Sequence, residues 1–318
     1  MPPAEDLSDD PALDRPAAVP AAAPEVSVVV CTHNPRPEYL DRTLAALRGQ
    51  TLPRDRWELV VVDNASAPPV VVADAGVRLV REPEPGLTRA RIAGIREARA
   101  ALLVLVDDDN VLAPDYLEAA LRIATEHPLV GVFGGQAVPE FEVPPPPWLE
   151  PFQAQLAIAV FAEDRWSNQD DPRVFPIGAG MCIRRPLAAA WAEQVAGDPV
   201  RRGLGRTGTN LISGEDTDMV VTCLRAGAGA GRFAALRLTH LIPRRRLEYG
   251  YTRRLAYATG FSAGRLSRHR DGTTRIRVLA QAVRSAAYLV LGTGSWRVRR
   301  IKAAADYGFL RGLAGMEP

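Results

Sequence analysis

A series of short, continuously apolar runs, each stopping abruptly at polar residues, constrains the fold of this chain more than any other feature. Residues 26–30, 59–62 and 102–106 consist almost entirely of Val and Leu, and a shorter run lies at 77–80. Apolar runs without polar alternation are typical of strands that are buried on both faces of a parallel sheet. The four runs therefore predict four strands of one central, mostly parallel sheet.

Helical patterns separate these runs. Residues 38–48 repeat Leu at helical spacing, and a second helical pattern at 88–99 follows the loop that contains Gly86. Further helices are expected at 216–225 and across 249–313. Strands that alternate with helices indicate an α/β fold. The sequence therefore predicts a Rossmann-like sheet flanked by helices, with a helical C-terminal extension.

Polar residues follow three of the predicted strands at the point where each strand ends. Thr32 follows the first strand, Asp63 follows the second, and the triplet Asp107, Asp108 and Asp109 follows the fourth. The carboxyl ends of parallel strands meet at one edge of a sheet, and ligands of α/β proteins bind outside that edge. We therefore expect these five side chains to face one crevice.

Composition divides the chain into four segments. Residues 1–25 are acidic and rich in Pro and Ala, which predicts a disordered tail rather than a targeting segment. Four consecutive prolines at 144–147 form a stiff spacer between a first half at 26–143 and a second half at 144–248 of one domain. Residues 249–318 form a helical, basic C-terminal region. No apolar run approaches the roughly 20 residues of a membrane span, so no transmembrane helix is expected.

Positive charge is concentrated near the C-terminus. The formal net charge of the chain is +2, whereas residues 244–302 hold fifteen Lys and Arg and only two acids. Basic residues flanking the apolar segment 286–291 predict one of two arrangements. Either an amphipathic helix makes peripheral contact with an anionic membrane surface, or a helical pair packs on the domain with its arginines in solvent.

The cysteine pattern bears on the cellular compartment. Cys31, Cys182 and Cys223 are odd in number and widely spaced, which predicts buried thiols in a reducing compartment rather than disulfides or a zinc site. We expect a cytoplasmic protein, located at the inner membrane face if the C-terminal region binds lipid. No nucleic-acid partner is expected.

The triplet Asp107-Asp108-Asp109 is the strongest local signal for chemistry. Three adjacent carboxylates repel one another, and Mg²⁺ or Mn²⁺ would relieve that repulsion while also binding phosphate oxygens. On an extended segment Asp107 and Asp109 would point the same way and serve one bound complex. The alternative is an acidic turn in which Asn110 caps a helix that begins at Leu112.

A second acidic cluster, Glu215 and Asp216, lies at the start of a predicted helix. One interpretation is purely structural, because carboxylates near a helix N-terminus are favoured by the helix dipole. The other is catalytic, because a reaction that activates a hydroxyl group needs a carboxylate base held near the reacting carbon. The residues alone leave both interpretations open.

Three further residues are ambiguous. A single histidine on an apolar strand, such as His240, is more often a hydrogen-bonded core residue than a metal ligand. Arg89 and Arg91 form either a solvated helix face or a pair of guanidinium groups that bind a diphosphate.

Taken in order, these segments resemble the motifs of glycosyltransferase family 2, a family of inverting enzymes with the GT-A fold. The resemblance covers roughly residues 26–243, although Ile92 stands where the family usually has asparagine and Asn110 where aspartate is common. The matching segments are 28–34, 60–66, 86–94, 105–110, 178–181 and 215–216.

The resemblance implies a nucleotide-sugar site in the first half of the domain, with Asp63 against a base for which uracil is favoured. It also implies that Arg91 supports the diphosphate or orients the aspartates, and that Asp107 lies near the ribose or the metal. The residues assigned to the donor are Thr32, His33, Asn34, Asp63, Arg91, Asp107 and Asp108.

The resemblance further implies metal dependence and a general base. Asp109, together with His240, would bind Mn²⁺ or Mg²⁺, and Asp216 would take the proton of the acceptor hydroxyl in a single inverting displacement. The acceptor, whether a saccharide, a lipid-linked molecule or a small molecule, is not identified by the sequence. The residues assigned to the acceptor side are Gly180, Met181 and Glu215.

Two other classes of protein were weighed against this prediction. A nucleotidyltransferase acting on sugar phosphates usually has a Gly-rich phosphate loop after its first strand, where this chain has Thr32-His33-Asn34-Pro35. A non-catalytic nucleotide-binding scaffold of the same fold would lack the aspartate triplet or Asp216, and both are present. The sequence therefore favours a glycosyltransferase.

Overall fold

The computed structural model describes residues 23–271 and 295–317, and within these ranges nine strands form a single sheet. The spatial order is β3-β2-β1-β4-β8-β6-β9-β5, with β7 pairing on β9. The strands are β1 Val26–Thr32, β2 Trp57–Asn64, β3 Val77–Glu82, β4 Leu102–Asp107, β5 Asn110–Leu112, β6 Val130–Phe141, β7 Arg165–Ser167, β8 Met181–Arg184 and β9 Gly229–Ile242. The pairs β1–β2, β1–β4, β2–β3 and β6–β9 are parallel, so the predicted mostly parallel sheet is confirmed.

Eight α-helices connect and cover these strands in the described part of the chain. They are α1 Pro37–Arg48, α2 Leu87–Glu97, α3 Tyr116–Glu126, α4 Arg185–Ala196, α5 Pro199–Arg202, α6 Glu215–Arg225, α7 Tyr249–Asp271 and α8 Trp296–Ala314. The predicted helices at 38–48, 88–99 and 216–225 correspond to α1, α2 and α6, with ends that differ by one or two residues.

The sheet has an apolar core on each face, which explains why its strands read as continuous apolar runs. Val28 and Val30 of β1 pack in a cluster with residues of α1 and α3, whereas Val29 packs in a second cluster with residues of α2, α4 and α6. A strand covered on both sides has no solvent-facing position to fill with polar residues. Cys31, Cys182 and Cys223 are free and buried, as predicted.

The strand register brings the predicted polar residues to one edge. Thr32 lies opposite Asp63 in the β1–β2 pair, and Cys31 lies opposite Asp107 in the β1–β4 pair. All three strands run in the same direction, so their carboxyl ends form one continuous rim.

The local geometry of the aspartate triplet differs from the sequence prediction in two ways. Asp107 ends β4, but Asp108 and Asp109 form a turn rather than an extended segment, so strand alternation does not orient their side chains. Asn110 does not cap a helix; it begins β5 and pairs opposite His240 of β9. The next helix begins only at Tyr116. Pairing with a strand far along the chain overrides the local capping signal.

The two predicted halves share one sheet. The prolines at 144–147 lead from β6 into a 3₁₀ helix at Pro147–Leu156, and β6 then pairs along most of its length with β9 from the second half. The predicted disordered tail falls almost entirely on residues 1–22, which lie outside the described residues.

Two C-terminal helices pack closely against each other. Gly260 and Gly264 of α7 face Gly308 and Gly312 of α8, and a Cβ atom at any of the four would lie 1.9–2.1 Å from a backbone oxygen of the opposite helix. Among the described residues no helix is long and apolar enough to cross a membrane. The apolar segment 286–291 lies outside the described residues, so the membrane-contact hypothesis stays a prediction.

We predict that Gly264→Ala destabilises the protein, because the new methyl group would lie 2.1 Å from the Phe309 carbonyl oxygen and the helices would have to separate. Overpacking of this kind typically costs about 1–3 kcal/mol. The control is Gly250→Ala in α7, where the nearest atom to the new methyl group is 3.7 Å away and no loss is expected. Urea unfolding followed by circular dichroism measures both, and equal stability of the two variants would contradict the close packing.

Candidate functional site

A cavity lies at the carboxyl edge of the sheet. Its walls come from the ends of β1 and β4, the start of α2, the loop before β8, the start of α6, and the segment around β9. This is the position at which open α/β sheets bind ligands. Nine of the residues predicted from the sequence line it together: Thr32, His33, Arg91, Asp107, Asp108, Asp109, Glu215, Asp216 and His240.

Thr32 fixes the middle carboxylate of the triplet. Its hydroxyl donates to Asp108 Oδ2 at 2.5 Å, which joins the end of β1 to the turn after β4. Burial, together with the negative charge of Asp109, raises the pKa of Asp108 to about 7. Asp108 therefore faces Thr32 and serves the site mainly by holding the turn.

Arg91 is buried and does not belong to a solvated helix face. Its guanidinium lies 3.1 Å from Glu215 Oε1 and 3.6 Å from Asp107 Oδ1, and the side chains of Arg91 and Glu215 are each only 3% exposed. Burial raises the pKa of Glu215, and the charge of Arg91 opposes that rise. The pair links the start of α6 in the second half to α2 and β4 in the first. Arg89, in contrast, pairs with Glu84 at the surface.

His240 and Asp109 meet at the opposite side of the cavity. His240 Nε2 lies 3.5 Å from Asp109 Oδ2, because β5 and β9 pair directly after the triplet. Arg246 contacts both groups: its Nη1 lies 3.3 Å from Asp109 Oδ2 and 2.9 Å from His240 Nε2. Since a guanidinium can only donate, Nε2 accepts in its contact with Arg246.

Arg246 was missed by the sequence analysis. It was counted only as part of the basic C-terminal segment, whereas the structure has it in a short 3₁₀ helix at Arg244–Leu247 that follows β9. Pro243 directly after the β9 run was the available signal, because it ends the strand and turns the chain back toward the sheet edge.

Asp216 lies in the first turn of α6. Its Oδ1 accepts from the backbone N–H of Thr217 at 2.7 Å, and its carboxylate lines the cavity. Gly178 lies opposite, where a Cβ atom would come within 2.9 Å of Arg91 Nη2 and 3.4 Å of Asp216 Cβ. A glycine is therefore needed for the loop to approach this carboxylate and guanidinium.

Four predicted site residues are not brought into the cavity. Asp63 is 1% exposed, and its carboxylate accepts from Arg81 and from the backbone N–H groups of Ser66 and Val70. Asn34 binds the same turn through Ser66 and Ala67.

The other two predicted residues hold the acceptor-side loop from behind. Gly180 accepts a hydrogen bond from the Tyr116 hydroxyl at 2.6 Å, and Met181 is fully buried in the core. Their neighbours Gly178 and Ala179 line the cavity instead, as do Asn64 and Arg206, which the sequence analysis also missed.

Comparison with known proteins identifies the class to which this fold and site belong. The family model described as "Glycosyl transferase family 2" matches residues 27–189. A putative glycosyltransferase, EpsH, from Bacillus subtilis is 32% identical over 108 residues, which cover 32% of this chain and 30% of that protein. An N-acetylglucosaminyltransferase from Bradyrhizobium is 30% identical over 121 residues, which cover 35% of this chain and 78% of that protein.

A solved structure shares the fold. The mannosyltransferase PcManGT from Pyrobaculum calidifontis, in complex with GDP-Man and Mn²⁺, superposes with a TM-score of 0.53 at 20% identity, covering 92% of this chain and 78% of that chain. The central sheet and its flanking helices are those of the GT-A fold. The chain belongs to glycosyl transferase family 2, and its first half carries most of the family match.

We predict that Arg91→Met destabilises the protein by about 3–5 kcal/mol, because Glu215 would keep a buried charge without a partner. The matched control is Arg89→Met on the same helix, whose exposed ion pair contributes at most about 1 kcal/mol. Urea unfolding at pH 5 and pH 8 measures both.

The pH dependence of the stability lost in Arg91→Met shows whether the unpaired charge of Glu215 causes the loss. An acid whose folded-state pKa is raised binds more protons in the folded state, so stability falls as pH rises above the unfolded-state value. Loss of Arg91 raises the pKa of Glu215 further, and the destabilisation should be larger at pH 8 than at pH 5. An equal loss at both pH values would show that Glu215 is not the group left unpaired.

Proposed function

We propose that this protein transfers a sugar from a nucleoside diphosphate sugar to a hydroxyl group of an acceptor, with inversion at the anomeric carbon. The observation that carries the proposal is one cavity that has the aspartate triplet on one wall and the Asp216 carboxylate on another. A donor held by the first wall would present its anomeric carbon to a base on the second. Membership of glycosyl transferase family 2 supports the same reaction.

The proposed donor site uses the ends of β1 and β2. His33 and Asn64 line this end of the cavity, and His33 Nδ1 donates to the Asn64 carbonyl oxygen at 2.6 Å. A hydrogen-bonded imidazole and a backbone turn offer a flat wall for a base and ribose. We retain uridine as the favoured nucleoside. The Asn64 side chain holds the shape of this wall, because its Nδ2 donates to the carbonyl oxygens of Glu82 and Glu84 and its Oδ1 accepts from the Gly86 N–H.

Asp109 and His240 fit a divalent cation. Their facing donor atoms, Asp109 Oδ2 and His240 Nε2, lie 3.5 Å apart. Within the described residues no group of three or more acidic, histidine or cysteine side chains could hold a metal ion by itself. That agrees with Mg²⁺ or Mn²⁺ bound by one or two protein ligands together with diphosphate oxygens. His240 Nδ1, however, has no described partner to orient the ring.

Arg246 must release Asp109 before a cation can bind there. Its Nη1 contacts the same two atoms that would be the ligands, and like charges cannot share that position. A guanidinium that leaves Asp109 can instead donate to the incoming diphosphate. When bound, the divalent cation would stabilise the negative charge of the departing nucleoside diphosphate.

Asp216 is the proposed general base. It is partly exposed to the cavity, it is held by the Thr217 N–H, and Glu215 beside it is already engaged by Arg91. Asp216 is therefore the carboxylate of this pair that is available to accept a proton from an acceptor hydroxyl. Arg91 acts through Asp107 and Glu215, as a positioning residue.

We predict that Asp216→Asn lowers turnover by about 10²–10⁴-fold, because the amide cannot take the hydroxyl proton. Turnover is measured as nucleoside diphosphate released from the donor sugar in the presence of acceptor. Nucleotide binding should be unchanged, because Asp216 does not contact the proposed donor wall. A variant with near-normal turnover would exclude Asp216 as the base.

We predict that one nucleoside diphosphate stabilises the protein against heat only together with Mn²⁺. At a ligand concentration of 100 times the dissociation constant, mass action adds about 2.7 kcal/mol. The panel is UDP, GDP, CDP and TDP, each with and without Mn²⁺. Mn²⁺ alone should have little effect, because Arg246 already neutralises Asp109.

The variants Asp109→Asn and Asp115→Asn test the assignment within the same panel. Asp109→Asn should lose the Mn²⁺-dependent part of the stabilisation. Asp115 is exposed and does not line the cavity, so Asp115→Asn should behave as the parent protein. If the stabilisation depended equally on Mn²⁺ in both variants, Asp109 would not be a metal ligand. If no nucleotide raised the thermal stability, the proposed function would be excluded.

A further inference from the structure

A second cavity lies next to the first, behind the loop that precedes α6. Residues 209–212 of this loop line the second cavity, whereas Gly208 and Ser213 on either side of them line the first. The second cavity is an open groove with a volume of about 760 Å³, which is in the range of sites that bind small molecules. The thickness of one chain segment therefore separates the two cavities.

Three arginines line the second cavity, and no carboxylate does so among the described residues. Arg253 and Arg254 come from α7, Arg300 comes from α8, and all three are exposed at the rim of the cavity. None of the ion pairs found among the described residues involves these three arginines, and the Arg300 guanidinium lies 5.8 Å from the centre of the Trp296 ring. In the first cavity, by contrast, Arg91 and Arg246 are neutralised by carboxylates. The second cavity therefore offers uncompensated positive charge to a ligand.

The floor of the second cavity is apolar and partly aromatic. Tyr257 and Tyr307 stand with ring centroids 6.0 Å apart, and Tyr307 is 59% exposed. The remaining apolar lining residues are Leu211, Ile212, Ala258, Ala303 and Ala304. A ligand that fills this space needs an apolar portion next to its negative charge.

The number of arginines indicates which negatively charged group the ligand carries. A carboxylate has two oxygens and one charge, which one guanidinium fork satisfies. A phosphate monoester carries up to two charges and three terminal oxygens, and it can be bound by several guanidinium groups at once. Three arginines around one cavity therefore match a phosphate better than a carboxylate.

The second cavity and the cavity of the proposed base are lined by neighbouring residues of one chain segment. Ile212 lines the second cavity, and Ser213, Glu215 and Asp216 line the first. The Ser213 N–H donates to Ser262 Oγ of α7 at 3.1 Å, which anchors this connection to the helix that carries two of the arginines. A molecule in the second cavity would reach Asp216 by passing over this segment.

We propose that the second cavity binds the acceptor, and that the acceptor is amphipathic, with a phosphate group next to an apolar portion. This inference rests on the proposed glycosyltransferase function, since it names the molecule whose hydroxyl group Asp216 would deprotonate. The arginines bind the phosphate, the alanine and tyrosine floor covers the apolar portion, and the hydroxyl group lies on the Asp216 side of the loop.

Isothermal titration with three probes tests the ligand class. Octyl phosphate combines both features, octyl glucoside has the apolar chain without the charge, and glucose 1-phosphate has the charge without the chain. Octyl phosphate should bind at one site, about tenfold tighter than either of the others, because each of them lacks one of the two contacts. Glucose 1-phosphate binding as tightly as octyl phosphate would overturn the amphipathic class in favour of a soluble phosphorylated ligand.

Two charge-matched variants test the site. Arg254→Gln with Arg300→Gln should weaken octyl phosphate binding by about tenfold or more, since charge-assisted hydrogen bonds are lost from both helices. Arg245→Gln with Arg268→Gln removes the same charge from exposed residues that do not line the cavity, and it should leave binding unchanged. Equal binding by the two double variants would overturn the proposal.

Titrations repeated with saturating nucleotide and Mn²⁺ separate the two proposals. Octyl phosphate should still bind, because the cavities are distinct, and displacement by nucleotide would assign it to the first cavity and overturn the inference. If octyl phosphate binds but no nucleotide does, the proposed glycosyltransferase function fails and the acceptor role fails with it. If nucleotide binds but octyl phosphate does not, only the acceptor class is overturned.

Discussion

The buried guanidinium of Arg91 is the interaction on which the candidate site depends. It joins Glu215 at the start of α6 to Asp107 at the end of β4, and the loop at Gly178 passes close enough that any side chain there would meet it. Without that cation the acidic residues of the two halves would repel one another across the cavity. A single arginine thereby fixes the spacing between the aspartate triplet and Asp216.

On the wall of the cavity that holds Asp109, the negative charge is balanced in a different way. The guanidinium of Arg246 neutralises the Asp109 carboxylate, and it contacts His240 as well. A divalent cation with a diphosphate would bring matched charges of both signs, so binding can exchange one neutralising arrangement for another. Arg246 would then move from a carboxylate to a phosphate without being left unpaired. In both arrangements a positive charge would lie beside the partly buried carboxylate of Asp109.

The sequence predicted the sheet well because burial on both faces leaves a strong local pattern. The strands β1 to β4 and the helices α1, α2 and α6 were found in this way, whereas β5 and β6 were not predicted. The family motifs, rather than the burial pattern, supplied most of the nine predicted residues that line the cavity. The missed features depend on contacts that are distant in sequence. The pairing of Asn110 with His240, which brings Asp109 to the histidine, leaves no local signal. Asp63 was assigned correctly to a strand end, but a motif does not specify that Arg81 and two backbone amides use its carboxylate internally.

The family match ends at residue 189, so the loop at 209–212 and both C-terminal helices lie beyond it. Those are the segments that form the second cavity. The close approach of α7 and α8 through four glycines is what brings Arg254 and Arg300 to the rim of one cavity and leaves small alanines on its floor. Bulkier residues at those glycines would push α7 and α8 apart, and Arg254 and Arg300 would then no longer line the same cavity. The glycine contacts, rather than the family motifs, therefore set the spacing of the two helices that line the second cavity.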